Sequence, residues 1–171
     1  MIQAIIYESN TGATADYAQL LSKHLGVNAY PNGAKEVTPN TEVIFMGWLM
    51  AGRIKGLKKA QKRYRIQAVI AVGMGPAQAD QAQGIIANSP VPGAKSFYLR
   101  GGYNPAKLMG LNKLIMKMVT TEVSKNIEKQ ADRTAEDNAA LIFFKSGGSF
   151  VADAKLDSIV AWAKGDENHG V

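Results

Sequence analysis

Ile2-Gln3-Ala4-Ile5-Ile6-Tyr7-Glu8-Ser9-Asn10-Thr11-Gly12-Ala13-Thr14-Ala15-Asp16-Tyr17-Ala18-Gln19-Leu20-Leu21 changes period in its middle. Up to Tyr7 the apolar residues are nearly continuous, as in a strand covered on both faces; beyond Ala15 they recur at helical spacing, at Tyr17, Leu20 and Leu21. The turn between them carries hydroxyls at Ser9, Thr11 and Thr14 around Gly12. A strand-to-helix turn of this kind aims successive backbone N–H groups and a helix N-terminus at one point. That makes an anion site, to which side-chain hydroxyls add donors without adding charge. Ser, Thr and Asn are also ordinary helix caps, so an anion site and a plain cap cluster both remain open from these residues. No Gly-Lys-Ser/Thr follows, which excludes a nucleoside-triphosphate loop, and no Gly-x-Gly-x-x-Gly is present for a dinucleotide.

Outward from this turn, short apolar runs over 2–7, 27–30, 43–46, 66–72 and 96–99 predict five strands. Helical spacing lies between them: Ile54, Leu57 and Tyr64 after the third, and Ala79, Ala82, Ile85 and Ile86 after the fourth. The alternation predicts an α/β chain with a mostly parallel, doubly wound sheet. Residues 31–40 are rich in turn formers and read as an irregular connection. After the fifth strand the spacing predicts a helix over 106–121, a polar stretch to Asn138 and a closing helix over 152–163 started by Asp153 or a neighbouring cap. Residues 103–148 exceed what a five-stranded fold needs and are read as an insertion, within which 139–144 is apolar enough to pack on the body. The 171 residues therefore form a single domain, with a frayed tail over 164–171.

Composition bounds the chemistry. With no cysteine there is no disulfide, thiolate nucleophile or cysteine-ligated cluster, so any redox work falls to a bound cofactor. A net charge of +6 predicts acidic or phosphate-bearing partners. Residues 1–7 lack a basic leader and a small-residue cleavage site, and no apolar run reaches the roughly 18–20 residues of a membrane span, so a cytoplasmic protein is expected. His24 and His169 stand apart and suggest no metal site. No nucleic-acid motif accompanies the charge.

The spacing Ser9-x-Thr11-Gly12-x-Thr14 resembles the phosphate loop of the flavodoxin family. That resemblance implies a five-stranded sheet in the order 2-1-3-4-5 and a noncovalent FMN. Its phosphate would be held by Ser9, Asn10, Thr11, Gly12, Ala13 and Thr14. Two further loops of such proteins bracket the flavin ring; here they correspond to Gly47, Trp48, Leu49, Met50, Ala51 and Gly52, and to Gly73, Met74, Gly75 and Pro76. Trp48 offers an aromatic face, and Tyr103 is the residue available to cover the other. A receiver-type domain is disfavoured because the third strand ends Phe45-Met46-Gly47, without a phospho-accepting aspartate.

Lys113-Leu114-Ile115-Met116-Lys117-Met118, within the insertion, is similar to a run in the flavodoxin-type protoporphyrinogen oxidases of bacteria. Members of that group oxidise a porphyrinogen and pass electrons to membrane quinones. The resemblance thus implies either an electron-transfer flavoprotein, paired with a redox protein or a small reduced substrate, or an FMN-dependent dehydrogenase. No side chain stands out as a catalytic base. On an ideal helix Leu108, Leu111, Ile115, Met118 and Val119 share one face opposite Lys113 and Lys117, which suits docking on the body or peripheral contact with an anionic bilayer at the inner face of the membrane. Arg53, Lys55, Lys58, Lys59, Lys62, Arg63 and Arg65 occupy a stretch without an acid that begins beside the first ring loop. Flavodoxins are ordinarily acidic, so different partners are expected here.

Overall fold

The computed structural model describes residues 1–75, 84, 91–108, 110–130 and 132–166. In chain order the elements are β1 (Ala4–Glu8), α1 (Ala13–Leu25), β2 (Ala29–Pro31), β3 (Glu42–Met50), β4 (Arg53–Ile54), α2 (Leu57–Gln61), β5 (Arg65–Gly73), β6 (Lys95–Arg100) and β7 (Gly102–Tyr103), followed by a 3-10 turn at Pro105–Lys107. Then come α3 (Gly110–Glu128), α4 (Ala135–Ser146), β8 (Gly148–Ser149), a 3-10 turn at Asp153–Leu156 and α5 (Asp157–Lys164).

The sheet runs β2-β1-β3-β5-β6, every neighbouring pair parallel. Counted over these five strands the order is 2-1-3-4-5, the flavodoxin-like doubly wound arrangement. Side chains alternate between two cores because strand residues point alternately to opposite faces. Ile5, Ile44, Met46, Ile70 and Val72 meet Tyr17, Ala18 and Leu21 of α1 and Ile159 of α5. Ile6, Val43, Phe45, Val69 and Ala71 meet Val37, Ile54, Leu57 and Tyr64 on the other side. Near the start of β5 the register slips: Val43 pairs with Ile66 but Ile44 pairs with Ala68, leaving Gln67 as an extra residue. This bulge puts Ile66 in the same core as Val69 although their spacing is odd.

Three elements differ from the sequence expectation. Ile54 and Tyr64 are not on a helix. β3 turns back through Ala51 (φ 49°) and Gly52 (φ 70°) into β4, and α2 is five residues long. Two successive left-handed residues make the tight hairpin turn whose twist matches the strands, and this consumes the chain that would have begun a longer helix. In the insertion, α3 continues to Glu128, and the polar stretch expected up to Asn138 contains the start of α4. Thr134 and Asp137 start α4 with a reciprocal capping box; the hydroxyl accepts the Asp137 N–H at 3.1 Å and Asp137 accepts the Thr134 N–H at 2.9 Å. These bonds hold the Asp137 carboxyl below its usual range. Asp153 does not cap the closing helix; its carboxylate meets His24 Nε2 at 2.8 Å. Pro76, the helix expected around 79–86 apart from the helical Gly84, and the tail beyond residue 166 lie outside the described residues.

Of residues 139–144, carried by α4, Leu141 is buried and the Phe143 ring lies 6.0 Å from Tyr103 and 5.3 Å from Phe150, while Ala139 and Ile142 are exposed. The apolar face expected of α3 is divided. Ile115 is half-buried while Met118 and Val119 are exposed, and Leu108 is buried ahead of the helix. No helix among the described residues is long and apolar enough to cross a membrane.

Candidate functional site

The carboxyl ends of β1, β3 and β5 meet where the chain leaves β1 for β2 on one side while β3 flanks it on the other, the switch point at which doubly wound sheets bind ligands. Gly12 opens α1 at φ 111°, a conformation that a residue with a Cβ adopts only under strain. Asp16 N–H donates to Gly12 O at 2.9 Å, so the N–H groups of Ala13 and Thr14 have no intrahelical acceptor. The helix has no side-chain cap bond. Ser9 Oγ reaches past that position and accepts the Ala15 N–H at 3.4 Å. Thr14 is 1% exposed, and among the described residues its hydroxyl has no hydrogen-bond partner.

Asn10, Thr11, Ala13 and Thr14 form one wall of a cleft of about 460 Å³, counted with its open mouth. Trp48 and Leu49 form a second wall and Val72, Gly73 and Met74 a third; the insertion closes the cleft with Tyr103, Leu108 and Met116. All three predicted segments are thus brought together, each by part of its length. Ser9, Gly12, Gly47, Met50, Ala51, Gly52 and Gly75 do not line the cleft. Ala51 and Gly52 form the exposed tip of the β3–β4 hairpin. Gly47 is where that hairpin packs down: a Cβ there would lie 2.5 Å from Ile54 Cγ2 and 2.7 Å from the Lys55 carbonyl.

Two side chains from β6 hold the third wall. Tyr98 donates its hydroxyl to Gly75 O at 2.9 Å, and Arg100 donates Nε–H to Met74 O at 3.2 Å. The Arg100 guanidinium lies 3.6 Å from the centre of the Phe150 ring, tying the wall to the chain returning from the insertion. Burial pushes the Tyr98 phenol above its ordinary value and keeps it a donor. A Cβ on Gly73 would overlap the Tyr98 hydroxyl, so glycine is required there by this contact.

The basic stretch divides by position. Arg63 is spent on structure, donating to Ala34 O at 2.9 Å and Val37 O at 2.7 Å and so pinning the irregular 31–40 connection. Arg65 begins β5, at the far end of the sheet, and faces Glu42 at 3.9 Å. Lys55 does not line the cleft but stands by one of its walls, its Nζ 5.9 Å from the centre of the Trp48 ring.

Lys107, Leu108 and Met116 were not anticipated from the sequence as site residues. Lys107 Nζ lies 3.2 Å from the position a Cβ on Gly12 would take. The donor set fits a phosphorylated flavin: unpaired N–H groups, a buried free hydroxyl and a nearby ammonium at one end, aromatic and apolar walls at the other. Among the described residues no group of three or more His, Asp or Glu could hold a metal. No protein-family model matches the chain, and no curated protein matches it.

Proposed function

We propose that this chain binds FMN noncovalently and acts as an electron-transfer flavoprotein. The observation carrying this reading is the meeting of Asn10, Thr11, Ala13 and Thr14 with Trp48, Leu49, Gly73 and Met74 around one cleft, Thr14 being 1% exposed in its wall. Ser9, Thr11, Gly12, Ala13 and Thr14 are the residues that would take the phosphate; Trp48, Leu49, Gly73, Met74 and Tyr103 would hold the ring system. Bound FMN supplies the electron chemistry, and the protein supplies position and electrostatics. Titrating FMN with flavin-free protein is the test. Saturable quenching of flavin fluorescence at one FMN per chain is expected, and unchanged fluorescence throughout would overturn the reading.

The Lys55 ammonium lies 5.9 Å from the centre of the Trp48 ring, and the exposed Arg53 precedes it on β4, so both would add positive charge on the Trp48 side of a bound flavin. Reduction makes a flavin more negative, so these charges favour the reduced form. Arg53→Gln and Lys55→Gln are expected to lower the two-electron midpoint potential by about 10–20 mV per charge, taking roughly 0.5–1 kcal/mol for a screened charge. The shift should shrink in high salt. Spectroelectrochemical titration reads it, and an unchanged or raised potential would remove these side chains from the cofactor's surroundings.

The insertion favours a second reading, an FMN-dependent dehydrogenase of the protoporphyrinogen-oxidising kind that delivers electrons to a membrane quinone. Tyr103, Leu108 and Met116 narrow the cleft, and Leu114 (64% exposed) and Met118 (72% exposed) stand beside the exposed Lys113 and Lys117. An apolar strip flanked by lysines suits peripheral contact with anionic lipid on the cytoplasmic side. Sedimentation with anionic vesicles at low salt, fading as salt rises, is the expected result; equal binding to neutral vesicles would exclude the electrostatic account. Porphyrinogen turnover with a quinone acceptor separates enzyme from shuttle.

A further inference from the structure

Lys107 ends a turn that the root of the insertion holds in place. Asn104 Oδ1 accepts the Ala106 N–H at 3.1 Å, and β7 pairs with β8 immediately beforehand. Gly147, at φ 78°, lets the returning chain press against this turn; a Cβ there would lie 2.6 Å from Tyr103 O and 2.8 Å from Pro105 Cδ. From this seat the lysine extends back to Gly12 and, with Thr11 and Ala13, walls a polar chamber of about 550 Å³, counted with its open mouth, next to the main cleft. Asp16, Asn104 and Ser149 complete the chamber wall. Among the described residues the Lys107 ammonium has neither an ion pair nor a hydrogen bond, although Asp16 shares its chamber.

We propose that Lys107 is the residue by which this site selects a phosphorylated flavin, so that the insertion is part of the cofactor site. The inference rests on the FMN reading above. Backbone N–H groups and threonine hydroxyls supply hydrogen bonds to a phosphate but no full positive charge, and the charged side chain nearest the start of α1 is otherwise the acid Asp16. A dianion brought against such a loop keeps most of its desolvation cost. An ammonium held by a seated backbone offsets that cost with a charge-assisted bond and little further loss of backbone freedom. Thr11 and Ala13 wall both cavities, with Thr14 in the wall of the main cleft and Lys107 in that of the adjoining chamber.

Fluorescence titration with FMN and with riboflavin, on wild type, Lys107→Gln and Lys107→Arg, tests this. Lys107→Gln should weaken FMN binding about tenfold or more and leave riboflavin binding unchanged. Lys107→Arg should retain most of the FMN preference, and raising salt should weaken FMN binding more in wild type than in Lys107→Gln. Lys107 is exposed, so neither variant should alter the melting temperature of the flavin-free protein. If wild type prefers FMN and Lys107→Gln keeps the whole preference, the Lys107 assignment is overturned and the FMN reading stands. If wild type binds neither flavin, both fall.

Discussion

Replacing Thr11 and Thr14 together by alanine is expected to weaken FMN binding about a hundredfold or more, while riboflavin binding changes by no more than about twofold. Each hydroxyl bonded to a charged acceptor is worth roughly 1.5–3 kcal/mol, and tenfold in affinity corresponds to about 1.4 kcal/mol. Thr14 is already inside α1 and buried, so its hydroxyl gives up no bond to the protein when removed. Alanine is also the better helix former, so the fold of α1 is not put at risk. Riboflavin has the ring without the phosphate, which separates loss of a phosphate site from general damage to the cleft. Equal weakening of both ligands would show that these threonines act on the shape of the cleft and not on the phosphate.

The second large effect concerns stability. Tyr17 is fully buried between α1 and the sheet, and its hydroxyl donates to Arg100 O at 2.8 Å with Phe150 O at 3.1 Å. One phenol thus joins the first helix, the end of β6 and the chain returning from the insertion. Tyr17→Ala should cost about 3–5 kcal/mol, a large share of the roughly 5–15 kcal/mol that holds a domain together. Tyr17→Phe keeps the ring and should cost about 1–2 kcal/mol, through two carbonyls that lose their donor. Urea unfolding of the two variants reads the division, and a phenylalanine variant as stable as wild type would assign the whole effect to packing. Burial raises the Tyr17 phenol above 10.0. A folded value above the unfolded one means that its contribution is fully present below the unfolded pKa and is lost as pH climbs through the folded one, so a loss of stability is expected only in strongly alkaline solution.

The five strands and the loop at 9–14 were legible because both are local signals, whereas the strand order came only with the resemblance of that loop to the flavodoxin family. A continuous apolar run giving way to helical spacing marks a buried strand and its crossover wherever it occurs, and the hydroxyls at 9, 11 and 14 sit within one turn. The β3–β4 hairpin was hidden because a turn of this type is flagged by glycine or asparagine at both left-handed positions, and the first of them is Ala51. Apolar Ile54 and Leu57 then matched helical spacing while serving a strand and a short helix on the same core. Lys107 was hidden for a different reason. Its neighbour Gly12 is brought to it by the pairing of Gly102 with Ser149 and Tyr103 with Gly148, contacts between segments far apart in the chain that no spacing rule reports. Gly47 shows the opposite case. It falls at the predicted strand end, yet the backbone close to it is that of Lys55, a demand of packing that looks like a demand of binding when only the sequence is read.

Because β7 and β8 are paired, the excursion from 104 to 147 leaves the domain and re-enters it at adjacent points. It is therefore a cassette in the evolutionary sense. Its length and content can change without moving any strand of the main sheet, since a doubling of loop length adds only about 0.6 kcal/mol of closure entropy. Exchanging it would replace Lys107, Leu108 and Met116 in one step while leaving Thr11, Thr14 and Trp48 where they are. A lineage built on this scaffold can thus alter what surrounds the cleft by trading one segment, with the main sheet inherited intact.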